Sequence, residues 1–578
     1  MSLTAAMQIG RSALTASQLG LQVAGNNMAN VATPGYSRQS ARLVGIRGDG
    51  SALGQSIGRG VEVRAVQRQI DGALQARLWG GTSDEAAAGA QSRIYGQIED
   101  TLGELGDNDL SSQLSGFFKV WSERGNATKS SGSVVEQGDR LAGFIRGLRG
   151  QLNDQRKQID GELAAGVTRA NQLLSEIADL NGAVSAAEVA GGVANTLRDQ
   201  RDASISALSA LLDVTVIDRG SAGVDVLSGS TPVVLGGQAR GLELRREVVN
   251  GVTEVAVATI TDGQELAPGS GAIGALLGTR GQAVTATIGR LDSIASQLIF
   301  EVNKLHSTGT NATGLGSTRS QVRFDPASRG LALNDPANGA MAGLPFAAVN
   351  GGFTVSVRQA GTGMVQSVRI PVDLDGVTSA GTPGTADDAT AEGIRAALAG
   401  VPGLSATWGA DGSLRIEAAD GFDFRFEDDS AGVLGALGVN AYFTGSDGSD
   451  MGVREDLKGN PEGLMSGRMV GGQFVENGTA LLVAGLQGRS LPGLLGLTVQ
   501  DSWREAVQSV GADAAGARVN AEATSVVRES LESQRAAISG VSIDEESLNL
   551  LDFQRQYQGA AKLISVANEM TQTLLQLV

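Results

Sequence analysis

Residue types that commonly perform chemistry are scarce in this chain, and its single histidine, His306, is the first to consider. One histidine excludes a metal site built on a histidine pair, and a Ser-His-Asp relay would have to run through this residue. No nucleophile motif lies near it in sequence, and the one G-x-S-x-G, GQSIG at 54–58, stands in a polar, glycine-rich stretch. His306 stands at the end of a predicted helix in FEVNKLHSTG, where the helix dipole favours a cation. We therefore predict a structural role for it.

Two further stretches have the spacing of ligand-binding loops. Gly269, Gly271 and Gly274 form G-x-G-x-x-G, but a dinucleotide fold needs a strand that runs directly into the glycines, and a proline-containing segment precedes them here. DLDGV at 373–377 resembles part of a calcium loop, yet no glutamate closes it, so it fails the EF-hand pattern. We predict a loop leading into a helix at the glycines, and no catalytic, cofactor or metal site.

The composition disfavours several classes of partner. The formal net charge is -17, from 62 acidic and 45 basic residues, so the basic footprint of a nucleic-acid-binding protein is missing. Cysteine is absent, which excludes disulfides and thiolate metal sites. The N-terminus lacks the basic and apolar regions of a Sec-type signal peptide, and no run approaches the ~18 apolar residues of a membrane span. We expect a soluble chain that contacts no membrane and, if secreted, uses another route.

The elements that position any site are most clearly marked at the two ends, where heptad patterns occur. The rows of large residues are Met7, Leu14, Leu21 and Met28 at the N-terminal end, and Leu550, Phe553, Tyr557, Ile564 and Leu574 at the C-terminal end. Ser542 to Glu545 is typical of a capping box that opens the second helix. We predict that the two helices pair with each other or with neighbouring copies, and that both are disordered in an isolated monomer. The alternative is two surface helices on a globular body.

Between the ends, the pattern changes from helix to strand and back. Residues 67–213 read as helices, and a 3–4 rhythm from Leu141 to Val184 predicts one rod-like helix. Strands follow, with a hairpin turned at Asn250-Gly251, and helix returns at 280–306. The region 320–455 is rich in alternating strands, with a second hairpin at Asp411-Gly412 and a short helix at 391–399. Helix is predicted again from about 472 to the end.

This order predicts a multidomain α+β fold in which the domains are discontinuous and nested. It comprises paired N- and C-terminal coiled-coil helices, a long-helix mixed α/β middle domain and a β-rich outer domain. The predicted bounds are 1–66 with 525–578 for the terminal helical assembly domain, 67–318 with 460–524 for the helix-rich domain with a small β-sheet, and 319–459 for the β-rich domain.

The first helix ends in NNMANVATPGYSRQ, residues 26–39, which predicts a helix stop followed by a type II turn with Pro34 and Gly35 in its central positions. With the preceding Ala-Gly, this stretch resembles the N-terminal signature of the axial proteins of the bacterial flagellum. Gly25 replaces the usual alanine of that signature, and Ala32 replaces the usual asparagine. The residues of the resulting candidate assembly motif are Asn26, Asn27, Asn30, Thr33, Pro34, Gly35 and Tyr36.

The C-terminal stretch SGVSIDEESLNLLDFQRQYQGAAKLISVANEM resembles the hook–filament junction branch of that family, as do stretches at 195–216, 291–314 and 426–453. The resemblance implies a non-enzymatic structural protein without a cofactor, exported unfolded by the flagellar type III apparatus and located at the hook–filament junction. It also implies assembly into a short helical ring with further copies of the chain. The other implied partners are the hook protein, a second junction protein and an export chaperone on the C-terminal helix.

Three alternatives remain open at this point. A hook or distal rod protein would lack the long helical rod at 130–213 and the Asp-Glu-Glu at the start of the last helix. Flagellin is disfavoured because it does not carry the Thr-Pro-Gly-Tyr motif. A secreted adhesin or hydrolase would place its active module in the β-rich region, where no paired-carboxylate or nucleophile motif occurs. Under the main interpretation, we expect Gly35→Val and Tyr36→Ala to spare the folded monomer and to block assembly.

Overall fold

The computed structural model describes residues 3–47, 58–103, 109–189, 192–249 and 252–576. Helices and small antiparallel sheets form two compact units. The first comprises Met1–Ile94, Gln158–Gly281 and Ala514–Val578, and the second comprises Tyr95–Lys157 and Gln282–Asp513. Each unit is built from segments that are distant in sequence, and the predicted α+β class with long terminal helices and a β-rich region is confirmed. The finer division into three domains stays a prediction.

Helices dominate both ends of the chain. In chain order they are α1 (Leu3–Ala29), α2 (Gly72–Leu102), α3 (Leu110–Gly125), α4 (Ser131–Glu188), α5 (Asn195–Ser209), α6 (Gly271–Thr279), α7 (Ala286–Ser307), α8 (Ala391–Ala399), α9 (Val433–Leu437), α10 (Glu455–Gly459), α11 (Gly478–Gly485), α12 (Val499–Ser539) and α13 (Ile543–Gln576). Helix α4 is 58 residues long, which confirms the rod-like helix, and α8 has its predicted bounds. Within the described residues, we find no helix that combines the length and apolar character needed to cross a membrane.

The strands form small antiparallel sheets. In chain order they are β1 (Gln39–Gly45), β2 (Val61–Arg68), β3 (Val214–Asp218), β4 (Val224–Ser228), β5 (Thr231–Leu235), β6 (Gln238–Ala239), β7 (Leu242–Val249), β8 (Val252–Thr259), β9 (Glu265–Leu266), β10 (Ser317–Arg323), β11 (Gly351–Gln359), β12 (Val365–Val372), β13 (Leu404–Trp408), β14 (Ser413–Ala418), β15 (Phe422–Glu427), β16 (Phe443–Thr444), β17 (Gly452–Val453), β18 (Arg468–Val470) and β19 (Gln473–Val475). The larger sheets have the strand orders β3-β4-β5-β6, β7-β8-β9, β10-β14-β13 and β12-β11-β15.

The strands of both predicted hairpins pair. Strands β13 and β14 pair around Asp411-Gly412, and Gly412 has the positive φ of +79° that a tight turn requires. Strands β7 and β8 pair in register up to their facing ends. The predicted turn residues Asn250 and Gly251 lie outside the described residues.

The prediction of continuous helix from 472 is wrong. Gly471 and Gly472, with φ of +56° and +79°, form the turn between β18 and β19. Helix begins with α11, and a second interruption separates it from α12. There Leu495 and Gly496 have φ of +56° and +84°, and α12 begins only at Val499. Gly-Gly is a strong turn signal that the helical interpretation overlooked.

In the first unit, asparagine side chains on α4 hold the neighbouring sheets. Asn181, which is 1% exposed, donates to the carbonyls of Val224 and Gly236 and accepts from the Val224 N–H. Asn171 donates to the carbonyl of Leu242 and accepts from its N–H, at 2.8 and 2.7 Å. A side-chain amide thus provides for strand backbone the hydrogen bonds that a further strand would provide.

The glycines of the G-x-G-x-x-G stretch open α6, as predicted. Gly271 has φ of +80°, and the next two N–H groups, of Ala272 and Ile273, donate to the carbonyls of Ala210 and Leu211 just beyond α5. The free N–H groups at the start of α6 are therefore satisfied by protein backbone. This is a helix-to-helix junction.

In the second unit, an aromatic cluster forms the core beside α3. Phe117 and Trp121 of α3 pack against Tyr442 and Phe443, with ring centroids 4.7 to 6.3 Å apart within the group. The Tyr442 hydroxyl donates to the carbonyl of Val134 at 2.7 Å. These side chains are fully buried, and such edge-to-face contacts stabilise a core beyond area burial alone.

His306 lies in the same core and is fully buried. Its Nδ1 is 2.7 Å from the carbonyl oxygen of Asn440, and its Nε2 accepts from the Met465 N–H at 3.1 Å. This pattern requires the neutral ring with the proton on Nδ1. Burial, followed by the charge of Arg454, lowers the pKa of His306 to about 3. The geometry fits the structural role, whereas the expectation of a cation is wrong because burial outweighs the helix dipole.

Candidate assembly site

The helix stop and turn form as the sequence predicts. Helix α1 ends at Ala29, and the Asn30 N–H still bonds back to Asn26 and Asn27, at 3.1 Å to each carbonyl. The Tyr36 N–H then donates to the Thr33 carbonyl at 3.2 Å, and Gly35 has φ of +79°. A bond from the fourth residue to the first with positive φ at the third is the signature of a type II turn. A β-branched residue in place of Gly35 would be strained.

The asparagines do more than end the helix. Asn27, which is 1% exposed, accepts from the Gln39 N–H at 3.0 Å and donates to the Gln39 carbonyl at 2.9 Å. The Tyr36 hydroxyl donates to the same Asn27 Oδ1 at 2.8 Å and accepts from Asn26 at 3.2 Å. Asn30 donates to the carbonyl of Asn26 at 2.9 Å. Residues 30–39, called the turn segment below, are therefore fastened back onto the end of α1.

Tyr36 belongs to the subunit's own structure. Burial, followed by the charges of Asp199 and Glu546, raises its pKa to about 12, so the hydroxyl keeps the proton that it donates to Asn27. This bears on the expectation that Tyr36→Ala spares the folded monomer. Its ring is half-buried, and its removal would disturb the turn segment itself.

Arg38 joins the turn segment to the start of α13. Its Nε lies 2.7 Å from Glu546, which is 2% exposed, and its Nη1 lies 2.6 Å from Glu545, which is 60% exposed. The Arg38 N–H also donates to the carbonyl of Ser539, at the end of α12, at 2.9 Å. One of the two hydrogen bonds of the predicted capping box forms, because Ser542 Oγ accepts from the Glu545 N–H at 3.4 Å. The Glu545 carboxylate pairs with Arg38 instead of with the Ser542 backbone.

Helix α5 holds the other side of the turn segment. The Ser37 N–H donates to Asp199 Oδ2 at 3.4 Å, and Asp199 Oδ1 pairs with Arg68 of β2 at 2.7 Å. Arg68 also pairs with Asp202 at 2.8 Å. Burial raises the pKa of Asp202, against the opposing effect of Arg68. Asn195 adds a bond to the Val66 carbonyl at 3.0 Å, so β2 and the turn segment share one polar layer on α5.

Helices α1 and α13 pack against each other in antiparallel orientation. A Cβ atom at Gly20 would lie 2.5 Å from the Phe553 ring, and one at Gly10 would lie 2.7 Å from Ile564 Cγ1. The small residues of α1 therefore admit the large residues of α13 at close range. On another part of α1, Ser12 Oγ accepts from the Val61 N–H at 3.2 Å and so holds β2.

Of the predicted seam residues, Phe553 and Ile564 of α13 lie against Gly20 and Gly10 of α1, and all but one of the predicted set are half-buried. The half-buried residues are Met7, Leu14, Leu21, Met28, Leu550, Phe553, Tyr557 and Ile564. Leu574 differs, since it is 52% exposed. The terminal helices were predicted to pair either with each other or with neighbouring copies, and in the structure they pair with each other. The expected disorder of the monomer's terminal helices assumed that each seam has no partner, and that premise is wrong.

Helix α13 also carries a row of exposed apolar residues. Leu563, Val566, Met570 and Leu574 follow one another at intervals of three and four, and are 41%, 40%, 55% and 52% exposed. We call these four residues the outer row. Their spacing places them along one side of the helix, and exposed apolar rows of this kind mark interaction surfaces.

Sequence reasoning missed the residues that anchor the turn segment. Arg38, Arg68, Asp199 and Asp202 were not predicted, because their partners are far away in sequence. A signal was nevertheless present. Three stretches that carry the family resemblance, at 26–36, 195–216 and 539–546, each supply residues to this one site.

Comparisons with known proteins agree with this arrangement. A family model described as the flagellar hook-associated protein FlgK helical domain matches residues 95–319. The flagellar basal body rod FlgEFG protein C-terminal model matches 532–577, and the flagella basal body rod protein model matches 7–36. The two terminal matches contain the helix-end motif and α13, which are elements of the candidate site.

Curated relatives match nearly the whole chain. Flagellar hook-associated protein 1 of Escherichia coli (strain K12) is 25% identical over 98% of each chain, and that of Salmonella typhimurium is 26% identical over 98% of each chain. The Bacillus subtilis protein of the same name is 29% identical over 38% of this chain and 45% of its own length. A solved structure, the flagellar hook junction protein FlgK from Burkholderia pseudomallei, aligns with 80% of this chain and 100% of its own, at 13% identity and a TM-score of 0.46.

Proposed function

Because the chain belongs to the family of flagellar hook-associated protein 1, structural proteins of the hook–filament junction of the bacterial flagellum, we propose that it polymerises through its terminal helices. Helices α1 and α13 pair within one subunit, and the outer row of α13 packs against neighbouring subunits. The turn segment fixes the direction in which α13 leaves the subunit, since Arg38 holds the first turn of that helix.

The outer row is the observation that carries this proposal. The inner side of α13 already has its partner in α1, so the remaining apolar side is available for a second helix. Four residues spaced by three and four positions form a stripe that a neighbouring helix can cover. Leaving such a stripe in water is unfavourable, at roughly 25 cal/mol for each Å² of apolar surface. Assembly removes that cost.

The proposal extends to named partners. Further copies of the chain complete a ring, the hook protein lies on one side of it and a second junction protein on the other. Before assembly, an export chaperone covers the C-terminal helix, and the unfolded chain leaves through the flagellar type III apparatus. The lack of cysteine is compatible with such an export route, because no disulfide can form in transit.

We assign no catalytic step to the chain. Its single histidine is fully buried and has both ring nitrogens engaged by backbone groups. A buried neutral imidazole that is already hydrogen-bonded on both sides is a poor proton carrier for a substrate. The family is structural, and we expect the function to depend on the surfaces through which subunits contact one another.

A pair of neighbouring substitutions tests the proposal. Met570→Glu places a charge in the outer row, whereas Gln572→Glu adds the same charge at an exposed polar position of the same helix. In cells that lack the native protein, we expect Met570→Glu to leave hooks without filaments in electron micrographs and to abolish motility, while Gln572→Glu restores both. Purified monomers of both variants should unfold at the same urea concentration as the unmodified chain.

Two results would contradict the proposal. Normal filaments on hooks assembled with Met570→Glu would place the assembly surface elsewhere. A shifted urea midpoint for Met570→Glu would indicate that the residue supports the subunit's own fold. Binding of the purified chaperone to the same two variants separates chaperone recognition from ring assembly.

A further inference from the structure

A cluster of three carboxylates lies in the second unit, away from the terminal helices in sequence. Oxygen atoms of Asp373, Asp375 and Asp388 all lie within 4.8 Å of one another. Asp373 and Asp375 are exposed, while Asp388 is only 4% exposed. Three like charges at this separation repel one another unless something between them is positive.

The segment between β12 and α8 is closed by a backbone hydrogen bond, which keeps the three carboxylates close together. Asp373 and Asp375 directly follow β12, and Asp388 precedes α8. The Ala389 N–H donates to the Asp373 carbonyl at 2.7 Å, which joins the two ends of the intervening segment. Gly376 has φ of +68°, so the chain turns sharply just after Asp375.

Asp388 supplies an independent reason to expect a ligand. Its Oδ2 accepts from the Asn334 amide at 2.6 Å, but its buried Oδ1 has no hydrogen-bond partner among the described residues. A buried carboxylate oxygen left without a partner is costly. Since Asn334 holds the opposite oxygen, the carboxylate is fixed and Oδ1 cannot simply rotate to water.

Other buried carboxylate oxygens in the described part of the chain that lack a hydrogen bond have a basic side chain nearby. Asp139 Oδ1 and Glu301 Oε2 also lack a hydrogen bond, but Lys458 lies 2.8 Å from the first and Arg489 lies 3.5 Å from the second. No ion pair joins Asp373, Asp375 or Asp388 to a basic residue anywhere in the described ranges. No basic side chain among the described residues therefore neutralises this cluster.

We propose that Asp373, Asp375 and Asp388 bind a calcium ion that joins the end of β12 to the start of α8. Three carboxylates without nitrogen or sulfur ligands suit a hard cation. Three carboxylates, each able to bind through one or both oxygens, suit the six to eight oxygens of calcium, whereas magnesium is usually held by one or two carboxylates and keeps several waters. This proposal departs from the sequence prediction of no metal site, which considered contiguous loop motifs, whereas Asp388 is 13 residues beyond Asp375.

Calorimetry on the full-length chain, after treatment with a chelator, tests this directly. We expect calcium chloride to bind one site with a dissociation constant of about 10⁻⁴–10⁻³ M, the range of extracellular calcium modules. Amide exchange across 373–389 should slow on calcium addition, with ionic strength held constant by sodium chloride. Magnesium chloride at the same concentration should have a clearly smaller effect.

Asp388→Asn and Asp420→Asn form the matched pair. Asp420 is an exposed residue after β14, and its substitution removes the same charge. Asp388→Asn should weaken calcium binding on the order of tenfold or more, since ligand charge sets affinity, and Asp420→Asn should leave it unchanged. The amide oxygen introduced by Asp388→Asn can still accept from Asn334, so this variant should fold; if it does not, Asp373→Asn at an exposed ligand takes its place.

Three results would overturn the proposal. The first is no calcium-dependent heat and no change in exchange for the unmodified chain. The second is unchanged calcium affinity in both Asp388→Asn and Asp373→Asn. The third is an equal response to magnesium, which would remove the calcium assignment.

Discussion

The substitution Asn27→Ala tests whether the turn segment is fastened to α1 by a single side chain. Asn27 makes three hydrogen bonds, two to the backbone of Gln39 and one to the Tyr36 hydroxyl. Alanine keeps the helix and removes all three. The neighbouring Asn26→Ala is the control, because it has the same chemistry on the same helix but starts from an exposed side chain.

The expected loss of free energy follows from the number of hydrogen bonds removed and from the burial of Asn27. Each hydrogen bond contributes about 1 kcal/mol net, so three contribute about 3 kcal/mol. Helix α1 is intact in both the open and the closed state, so helix propensity does not enter. Asn27→Ala should therefore destabilise the closed turn segment by at least about 2 kcal/mol, or roughly 30-fold in its opening equilibrium. Asn26→Ala removes two exposed hydrogen bonds, one to the Tyr36 hydroxyl and one from Asn30, and should have a clearly smaller effect.

Amide hydrogen exchange of the purified chain measures this opening. The amides of residues 36–39 should exchange roughly 30-fold faster in Asn27→Ala, and the buried core of α4 should be unaffected, because opening is local. Equal exchange rates in the Asn26 and Asn27 variants would refute the reasoning. So would an acceleration of less than about threefold in Asn27→Ala, since a single net hydrogen bond already exceeds that effect.

Three further predictions concern the helix pair, the buried histidine and the ion pair. Gly20→Ala should destabilise the first unit by about 1–3 kcal/mol in urea unfolding, because its Cβ would overlap a facing ring, whereas Gly25→Ala, with open space around it, should stabilise it by up to about 1 kcal/mol. The pKa of His306 is lower in the folded chain, at about 3, than the ordinary 6.5, so its stabilising contribution is complete above pH 6.5 and falls as the pH decreases towards 3. The second unit should lose about 2 kcal/mol between pH 7 and pH 5 from this group alone, and a His306→Gln variant should lack that component of the pH profile. Glu546→Gln, at a 2% exposed partner, should cost about 3 kcal/mol, and Glu545→Gln, at a 60% exposed one, less than about 1 kcal/mol in the same unfolding assay.

Local patterns in the sequence predicted local structure well. The rod-like helix α4, the hairpin at Asp411-Gly412 and the type II turn at Pro34-Gly35 each depend on residues that are near neighbours in sequence. Side-chain periodicity and positive-φ requirements are short-range constraints, so one sequence is enough to read them. The error at 472 arose where a Gly-Gly turn signal was outweighed by an apolar run further along.

The anchoring of the turn segment could not be read from such patterns. Arg38 meets Glu546 across 508 positions, and Ser37 meets Asp199 across 162. Isolated arginines and carboxylates are normally solvated surface groups, and nothing in their types or spacing indicates which will be buried together. The same limit explains Asp388, whose partners in the carboxylate cluster become neighbours only when the segment after β12 closes.

One arrangement recurs at four places in the described residues where a long helix meets an extended segment. Asn27 on α1, Asn171 and Asn181 on α4 and Asn303 on α7 each donate to a backbone carbonyl and accept from a backbone N–H of the segment beside them. An amide side chain is suited to this, since it carries a donor and an acceptor at the spacing of a peptide group. Asn27 therefore holds the returning backbone as well as standing in the helix-stop sequence.

This explains why a helix that could end with any glycine ends instead with asparagines and a Pro-Gly turn. The turn returns the chain along α1, and Asn27 holds the returning strand, which places Arg38 against Glu546 at the start of α13. The direction of α13 depends on that ion pair at one end and on Gly10 and Gly20 along its length. Because the outer row lies on α13, its position on the subunit is set by the turn segment even though the two share no contact in the proposal. A substitution at the turn should therefore impair assembly by changing the direction of α13 while the outer row itself stays intact. In such a variant, we expect assembly to depend on whether the Arg38–Glu546 pair still forms.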